Sequence, residues 1–177
     1  MIPVYMGTAT PEEIALAKRI ARTNADMTLD GELPQEQLNT NEPMWRLNLR
    51  GYLAEMVYCR FFKLESTLRE GKLARVDCIQ DGKTVDVKTT TLGNGHLCVY
   101  REKVNHPADL YVLVIALRLN QVEENYDFYY AGLTTKEELF QSAHWTDKLK
   151  PGVWSWVMDQ NELWAVEPPN QEEGDAK

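Results

Sequence analysis

Val76-Asp77-Cys78-Ile79-Gln80-Asp81-Gly82-Lys83-Thr84-Val85-Asp86-Val87-Lys88 is the stretch on which the reading of this chain turns. Asp81-Gly82 separates two runs rich in β-forming residues. That is the strongest short-range signal for a hairpin, closed here by a two-residue type I′ turn. Such a turn sets the register: Gln80 opposite Lys83, Ile79 opposite Thr84, Cys78 opposite Val85 and Asp77 opposite Asp86. Side chains alternate along a strand, so Asp77 and Asp86 are expected on one face, their β-carbons ~5 Å apart, with Lys88 beside them. Val76, Cys78, Val85 and Val87 take the other face and read as core. Like charges directly opposite destabilise a sheet, so the two carboxylates need a cation or one must keep its proton. A hard divalent ion resolves the conflict, and Mg²⁺ typically binds through one or two carboxylates plus substrate phosphate. A lysine beside them can position or deprotonate a water, or neutralise developing negative charge. A plainer reading stays open, in which the hairpin face is solvated and carries a Lys–Asp pair. Asp81 reads as a turn residue.

The helix before the hairpin supplies a further acid. Residues 44–60 contain one acidic residue, Glu55. At 3.6 residues per turn, Arg46, Arg50 and Arg60 fall on one side and Glu55 on the opposite one, near Gly51 and Cys59. If the arginines mark the outer face, Glu55 points inward, where a carboxylate must be paired or bind metal. Gly51 costs the helix about 1 kcal/mol against Ala and leaves space one turn before the carboxylate. A Glu satisfied by a core Tyr or Arg is the plainer alternative.

Working outward, Thr10-Pro11-Glu12-Glu13 starts a helix with a capping box, running to about Asn24. Residues 25–43 read as a loop, and Pro43 opens the long helix to about Leu64. Strands are expected at Ala74–Gln80, Lys83–Thr91, Leu97–Arg101, Leu110–Leu117 and Tyr126–Leu133. The continuous apolar run Leu110–Leu117 suits a strand buried on both faces. Thr134 is placed as the cap of a short helix, Lys136–Gln141. Residues 144–156 read as aromatic and irregular, Leu163–Val166 as a last strand, and 168–177 as an acidic, disordered tail. The order predicts a single α/β or α+β domain over 1–167, with a central mixed β-sheet flanked by helices.

Composition limits the function classes. The chain has 177 residues, 27 acidic and 19 basic, for a net charge of −8. That total argues against a bulk electrostatic binder of nucleic acid or anionic membrane. The charge is segregated, however. Residues 44–103 carry 11 basic and 7 acidic residues, net +4, and the remainder 8 and 20, net −12. A nucleic-acid substrate is therefore compatible, and the acidic flanks leave a surface for a protein partner. Cys59, Cys78 and Cys98 form no Cys-x-x-Cys and are odd in number, which argues against a disulfide scaffold or zinc ribbon and fits reduced thiols in a cytoplasm. His96, His106 and His144 are scattered. No signal peptide is expected at MIPVYMGTATPEE, and no apolar run approaches the ~20 residues that span a bilayer. Gly-rich phosphate loops and Gly-x-Ser-x-Gly elbows are absent.

An inward Glu on a helix, then an Asp, a hairpin and Asp-x-Lys on a strand resembles the PD-(D/E)XK nuclease superfamily, in particular its small phage and bacterial members. Gly51-Tyr52-Leu53-Ala54-Glu55 is similar to its helical Gly-x-x-x-Glu element, Asp77 to its first strand acid, and Asp86-Val87-Lys88-Thr89-Thr90 to its (D/E)-x-K strand. Gly132–Leu139 is similar to its closing elements, so the likeness covers about residues 44–141. One departure is Val76 in place of Pro before the first acid. The resemblance implies a restriction-endonuclease-like core and a Mg²⁺-dependent deoxyribonuclease, with Mn²⁺ as a substitute. It implies Glu55, Asp77, Asp86 and the Val87 carbonyl as metal ligands and Lys88 as catalytic. Arg50, Thr90, Arg101 and Lys103 are the candidates for contact with a DNA backbone, and a homodimer stays open. An inactive binding module on the same fold, acting through DNA or protein contacts, is the alternative. Thr90 and His96 also have plain readings, as strand former and turn neighbour. Trp145, Trp154, Trp156 and Trp164 suit either base stacking or a core and partner surface.

Overall fold

The hairpin forms as its turn chemistry dictates. The computed structural model describes residues 2–29, 44–68, 76–119, 125–148 and 154–165. Asp81 and Gly82 both adopt positive φ, 50° and 76°, as a type I′ turn requires. Strands β2 (Cys78–Gln80) and β3 (Lys83–Thr90) pair antiparallel with three expected rungs, Gln80–Lys83, Ile79–Thr84 and Cys78–Val85. The fourth rung, Asp77 opposite Asp86, does not form, because β2 begins only at Cys78.

Around this hairpin stands a mixed five-stranded sheet in the order β1-β6-β5-β3-β2. β1 is Val4–Thr8, β5 Leu110–Arg118 and β6 Tyr126–Thr135. β3 and β5 run parallel, with Asp86 beside Tyr111 and Lys88 beside Leu113, while the other neighbours are antiparallel. β5 is central, and Leu110–Ala116 are all buried, as the apolar run predicts.

Helices α1 (Pro11–Leu29) and α2 (Met44–Phe61) cover one face. Ile20, Leu49, Leu53 and Tyr58 pack there against Val85, Val87, Val112 and Val114. Each such aliphatic side chain taken from water contributes roughly 1.5–3 kcal/mol. The capping box of α1 forms as expected: Thr10 N–H donates to Glu13 Oε2 at 2.7 Å, and Glu13 N–H to Thr10 Oγ1 at 3.2 Å. α1 continues to Leu29, beyond the expected Asn24. The rest of the expected loop, the strand start at Ala74–Arg75 and the tail lie outside the described residues.

The second face is covered differently from expectation. The segment 144–156, expected to be irregular, contributes two strands, β7 (His144–Thr146) and β8 (Ser155–Met158), which join β4 (Leu97–Tyr100) in a sheet of order β4-β8-β7, with residues 149–153 outside the described residues. This sheet and α3 (Lys136–Ser142) bury Leu97, Val99, Leu139 and Met158 against Tyr111, Leu113 and Ile115. Thr135, not Thr134, caps α3, accepting from Glu138 N–H at 3.1 Å, because β6 runs two residues further than expected. Of the expected last strand Leu163–Val166, the described residues form one bridge, Trp164 with Leu133, and Val166 lies outside the described residues. Among the described residues no helix is long and apolar enough to cross a membrane.

One glycine is fixed by this closure. The β5–β6 register passes from Leu113–Gly132 to Val114–Tyr130, leaving Ala131 as an extra residue. Gly132 takes φ +132°, and an added β-carbon would lie 2.6 Å from Leu163 Cβ. Gly132→Ala is therefore expected to cost about 1–3 kcal/mol and several degrees of melting temperature. Gly51→Ala, where an added β-carbon meets nothing within 4 Å, is expected to cost none. Thermal unfolding of the two variants checks both.

Candidate functional site

β3 carries the centre of the site. Val85 and Val87 enter the helix-side core, so Asp86 and Lys88 leave the opposite face, toward Tyr111 and Leu113. Lys88 Nζ donates to Asp86 Oδ1 at 2.7 Å, and both are largely withdrawn from solvent, 27% and 6% exposed. Asp86 Oδ2 is buried with no hydrogen-bond partner.

Asp77 reaches the site by a different route from a ladder rung. Its N–H donates to Val85 O at 2.8 Å, and its carbonyl accepts from Thr67 N–H at 2.9 Å. Thr67 Oγ1 also donates to the Val76 carbonyl. Held on both sides, Asp77 turns its carboxylate onto the edge of β3, where Oδ2 accepts from Val87 N–H at 2.6 Å. Within a strand, the N–H and C=O of one residue point to the same neighbour, so the Val87 carbonyl faces this edge as well.

Glu55 arrives from the helical layer. Tyr58, one turn on, donates its hydroxyl to Gln80 Oε1 at 2.5 Å, which ties this face of α2 to β2. Asn24 Nδ2 donates to Tyr52 Oη at 2.7 Å on the preceding turn. Glu55 keeps part of its surface open. Burial, then the charges of Asp77 and Asp86, hold its carboxyl well above the usual range, with Lys88 opposing. Asp77 is pushed up to about 7 by burial and then by Asp86, while Lys88 and the Val87 N–H pull it down. Three acids thus share one electrostatic neighbourhood. They do not share one sheet face: Glu55 approaches from the side opposite Asp86, with Asp77 at the edge between them. Among the described residues, no three His, Cys, Asp or Glu side chains are arranged to hold a metal ion.

His106 is the residue that sequence reasoning left out. Its Nδ1 lies 3.6 Å from Asp86 Oδ2 and, like that oxygen, is buried without a hydrogen-bond partner. Burial lowers its pKa first, and Lys103, Lys88 and Lys136 lower it further against the pull of Asp86, so the ring is neutral near pH 7. The parallel pairing puts it there: Leu110 opposes Val85, which brings the residues before β5 beside the start of β3. Asp109 fastens them, accepting from Thr84 N–H at 2.9 Å and Thr84 Oγ1 at 2.8 Å.

The proposed backbone-binding residues divide. Lys103 is half-buried and acts electrostatically on both Asp77 and His106. Thr90 shares the Asp86 face, but its Oγ1 accepts from Leu92 N–H at 3.3 Å and it packs tightly on Gly95. Arg101 is exposed and lines a recess among tryptophans. Arg50 is half-buried on α2, about 140° around the helix from Glu55. The arginines of α2 are not a bare outer face. Arg60 pairs with Glu13 at 3.1 Å and donates to Thr8 O, and Arg46 lies over the Trp45 ring. His96 is a strut, 2.6 Å from Asp159 Oδ1.

Comparison of the chain with protein-family models, with curated proteins and with solved structures returns no match.

Proposed function

We propose that the chain is a metal-dependent nuclease with a restriction-endonuclease-like core of the PD-(D/E)XK kind, acting on DNA. The observation that carries this reading is the state of Asp86. It holds Lys88 at 2.7 Å by one oxygen, while the other is buried without a hydrogen-bond partner, next to an Asp77 whose pKa is raised to about 7. Crowded carboxylates of this kind are stable only if protonated or if a cation joins them. The donors are all oxygens, which fits a hard divalent ion held by one or two carboxylates with the rest supplied by water and phosphate. Asp77, Asp86 and the Val87 carbonyl are the residues that would hold it, with Glu55 adjoining. Such an ion lowers the pKa of a bound water and offsets charge on a phosphate. In this reading Lys88, held by Asp86 at 2.7 Å, would donate to a phosphate oxygen or the attacking water, and Lys103 would add positive charge at the rim.

The test is direct. Purified protein should nick or degrade DNA with Mg²⁺ or Mn²⁺ and not with EDTA. A catalytically inactive binding module on the same fold, acting through DNA or protein contacts, is the second reading. No cutting of any DNA or RNA form, with no Mg²⁺ uptake by calorimetry, would select it.

A further inference from the structure

An aromatic recess opens at the β4-β8-β7 sheet. Arg101, Val104, Trp145, Trp154 and Trp156 line an open recess of about 410 Å³, within the range of small-ligand pockets. The Trp145 and Trp154 rings are stacked, 5.3 Å apart and 17° from parallel, and Trp156 closes on Trp145 at 4.3 Å. Phe140 backs Trp156 at 4.4 Å. Trp145 and Trp154 nonetheless remain 42% and 40% exposed, and Val104 39%. Neighbouring apolar side chains left this open mark a binding surface more than a core. Trp164 stands apart, donating Nε1–H to Glu138 Oε1.

The occupant follows from charge and position. Among the described residues, Arg101 is the charged side chain that lines the recess. It opens the 3₁₀ turn Arg101–Asn105, and its N–H donates to Trp154 O at 3.0 Å, tying the turn to the tryptophans. Lys103 of the same turn acts electrostatically on Asp77, and His106, the residue that follows the turn, lies 3.6 Å from Asp86. At about 2 Å rise per residue, the turn Arg101–Asn105 spans roughly 10 Å on the way from the recess to His106. Flat aromatic faces beside cations are the means by which proteins hold unpaired nucleic acid, since every base has a π-face. We propose that the pocket stacks an unpaired base of a single-stranded nucleic acid whose backbone continues along Arg101–His106 to the acid cluster. A base locked in a duplex is not available to the pocket, so the site favours single strands or frayed ends. This use of the pocket rests on the nuclease reading of the acids; the binding itself does not.

The experiment uses the full chain in EDTA, so that cutting plays no part. The probe is a fluorescein-labelled oligothymidylate of about twelve nucleotides, followed by anisotropy and by quenching of tryptophan fluorescence. Wild type should bind it in preference to a duplex of equal length. Trp154→Ala and Trp145→Ala should each weaken binding about 5- to 150-fold without lowering the melting temperature, and Trp154→Phe should retain most of it. Arg101→Gln should reduce the slope of log affinity against log salt by about one. Unchanged affinity in both alanine variants, no binding by wild type, or equal binding of duplex overturns the proposal. Self-association lost in Trp154→Ala, with no oligonucleotide bound, assigns the face to a second copy and overturns it as well. The two readings fail separately. If wild type binds through Trp154 but never cuts, the nuclease reading falls and the pocket stands. Cutting of single strands with an unaltered KM in Trp154→Ala does the reverse.

Discussion

Asp86→Asn is expected to end Mg²⁺-dependent cutting, a loss of about 10²–10³-fold or more, with the protein still folded. The substitution keeps the shape of the side chain and removes its charge. Lys88 then loses the carboxylate 2.7 Å from its ammonium, and the proposed ion loses one of the carboxylates that would hold it. The effect on stability is expected to be small because two consequences oppose each other. The Lys88 pair is lost, but Asp86 is also a cause of the raised pKa of both Asp77 and Glu55, so their repulsion is relieved. Lys88→Ala should lose activity to a similar degree by a different route, leaving metal uptake intact while removing the cation proposed to face the phosphate. Rates with Mg²⁺, together with thermal melts in EDTA, check both variants. Wild-type cutting by either one sinks the assignment, and unfolding of Asp86→Asn would make that residue a structural strut instead.

The separation of site from fold also shows which parts of this molecule sequence can reveal. The hairpin was legible because Asp81-Gly82 acts locally: two positive φ angles in adjacent residues fix three rungs with no help from the rest of the chain. The capping box of α1 and the central burial of Leu110–Ala116 were legible for the same reason, each being a pattern within one segment. The fourth rung failed because something non-local intervened. Thr67 and Ser66, from the segment after α2, pair with the chain at Asp77 and Cys78 and help to hold Asp77 out of the ladder. His106 was missed because its place depends on the parallel pairing of β3 with β5, whose partners lie 25 residues apart and leave no periodic mark. The β4-β8-β7 sheet was missed because β7 and β8 are three and four residues long, and their tryptophans hide any alternation. β1 escaped notice as well: its Gly7 sits at a register shift against β6, which interrupts a two-residue period. The candidate acids could be named from sequence. Their approach from two sides of the sheet could not, since it depends on α2 and Asp86 lying in different layers.

The protein without metal is expected to lose stability as pH rises from about 5 to 8, and Mg²⁺ to restore it at the alkaline end. The sign follows from the carboxyls. Asp77 titrates near 7 in the folded state and near 3.9 unfolded, and Glu55 is shifted in the same direction. Between those values the folded state holds protons that the unfolded state has released, so stability falls with rising pH. The contribution is complete below about pH 4 and gone once pH passes the folded value. His106 opposes this with a lowered pKa. Its contribution is present above about 6.5 and lost in acid, so it flattens the acid side of the curve and leaves the decline above pH 6.5 to the carboxyls. Divalent metal replaces the protons. An ion at 100 times its dissociation constant adds about 2.7 kcal/mol, or roughly 5–10 °C in a chain of this size. That gain should be large at pH 8, smaller at pH 5.5 where protons compete, and absent in Asp86→Asn. Melting curves in EDTA and in Mg²⁺ across this range decide the matter. A melting temperature that rises steadily to pH 8 in EDTA and ignores Mg²⁺ there would mean that the acids are accommodated by the fold alone, with no place for an ion between them.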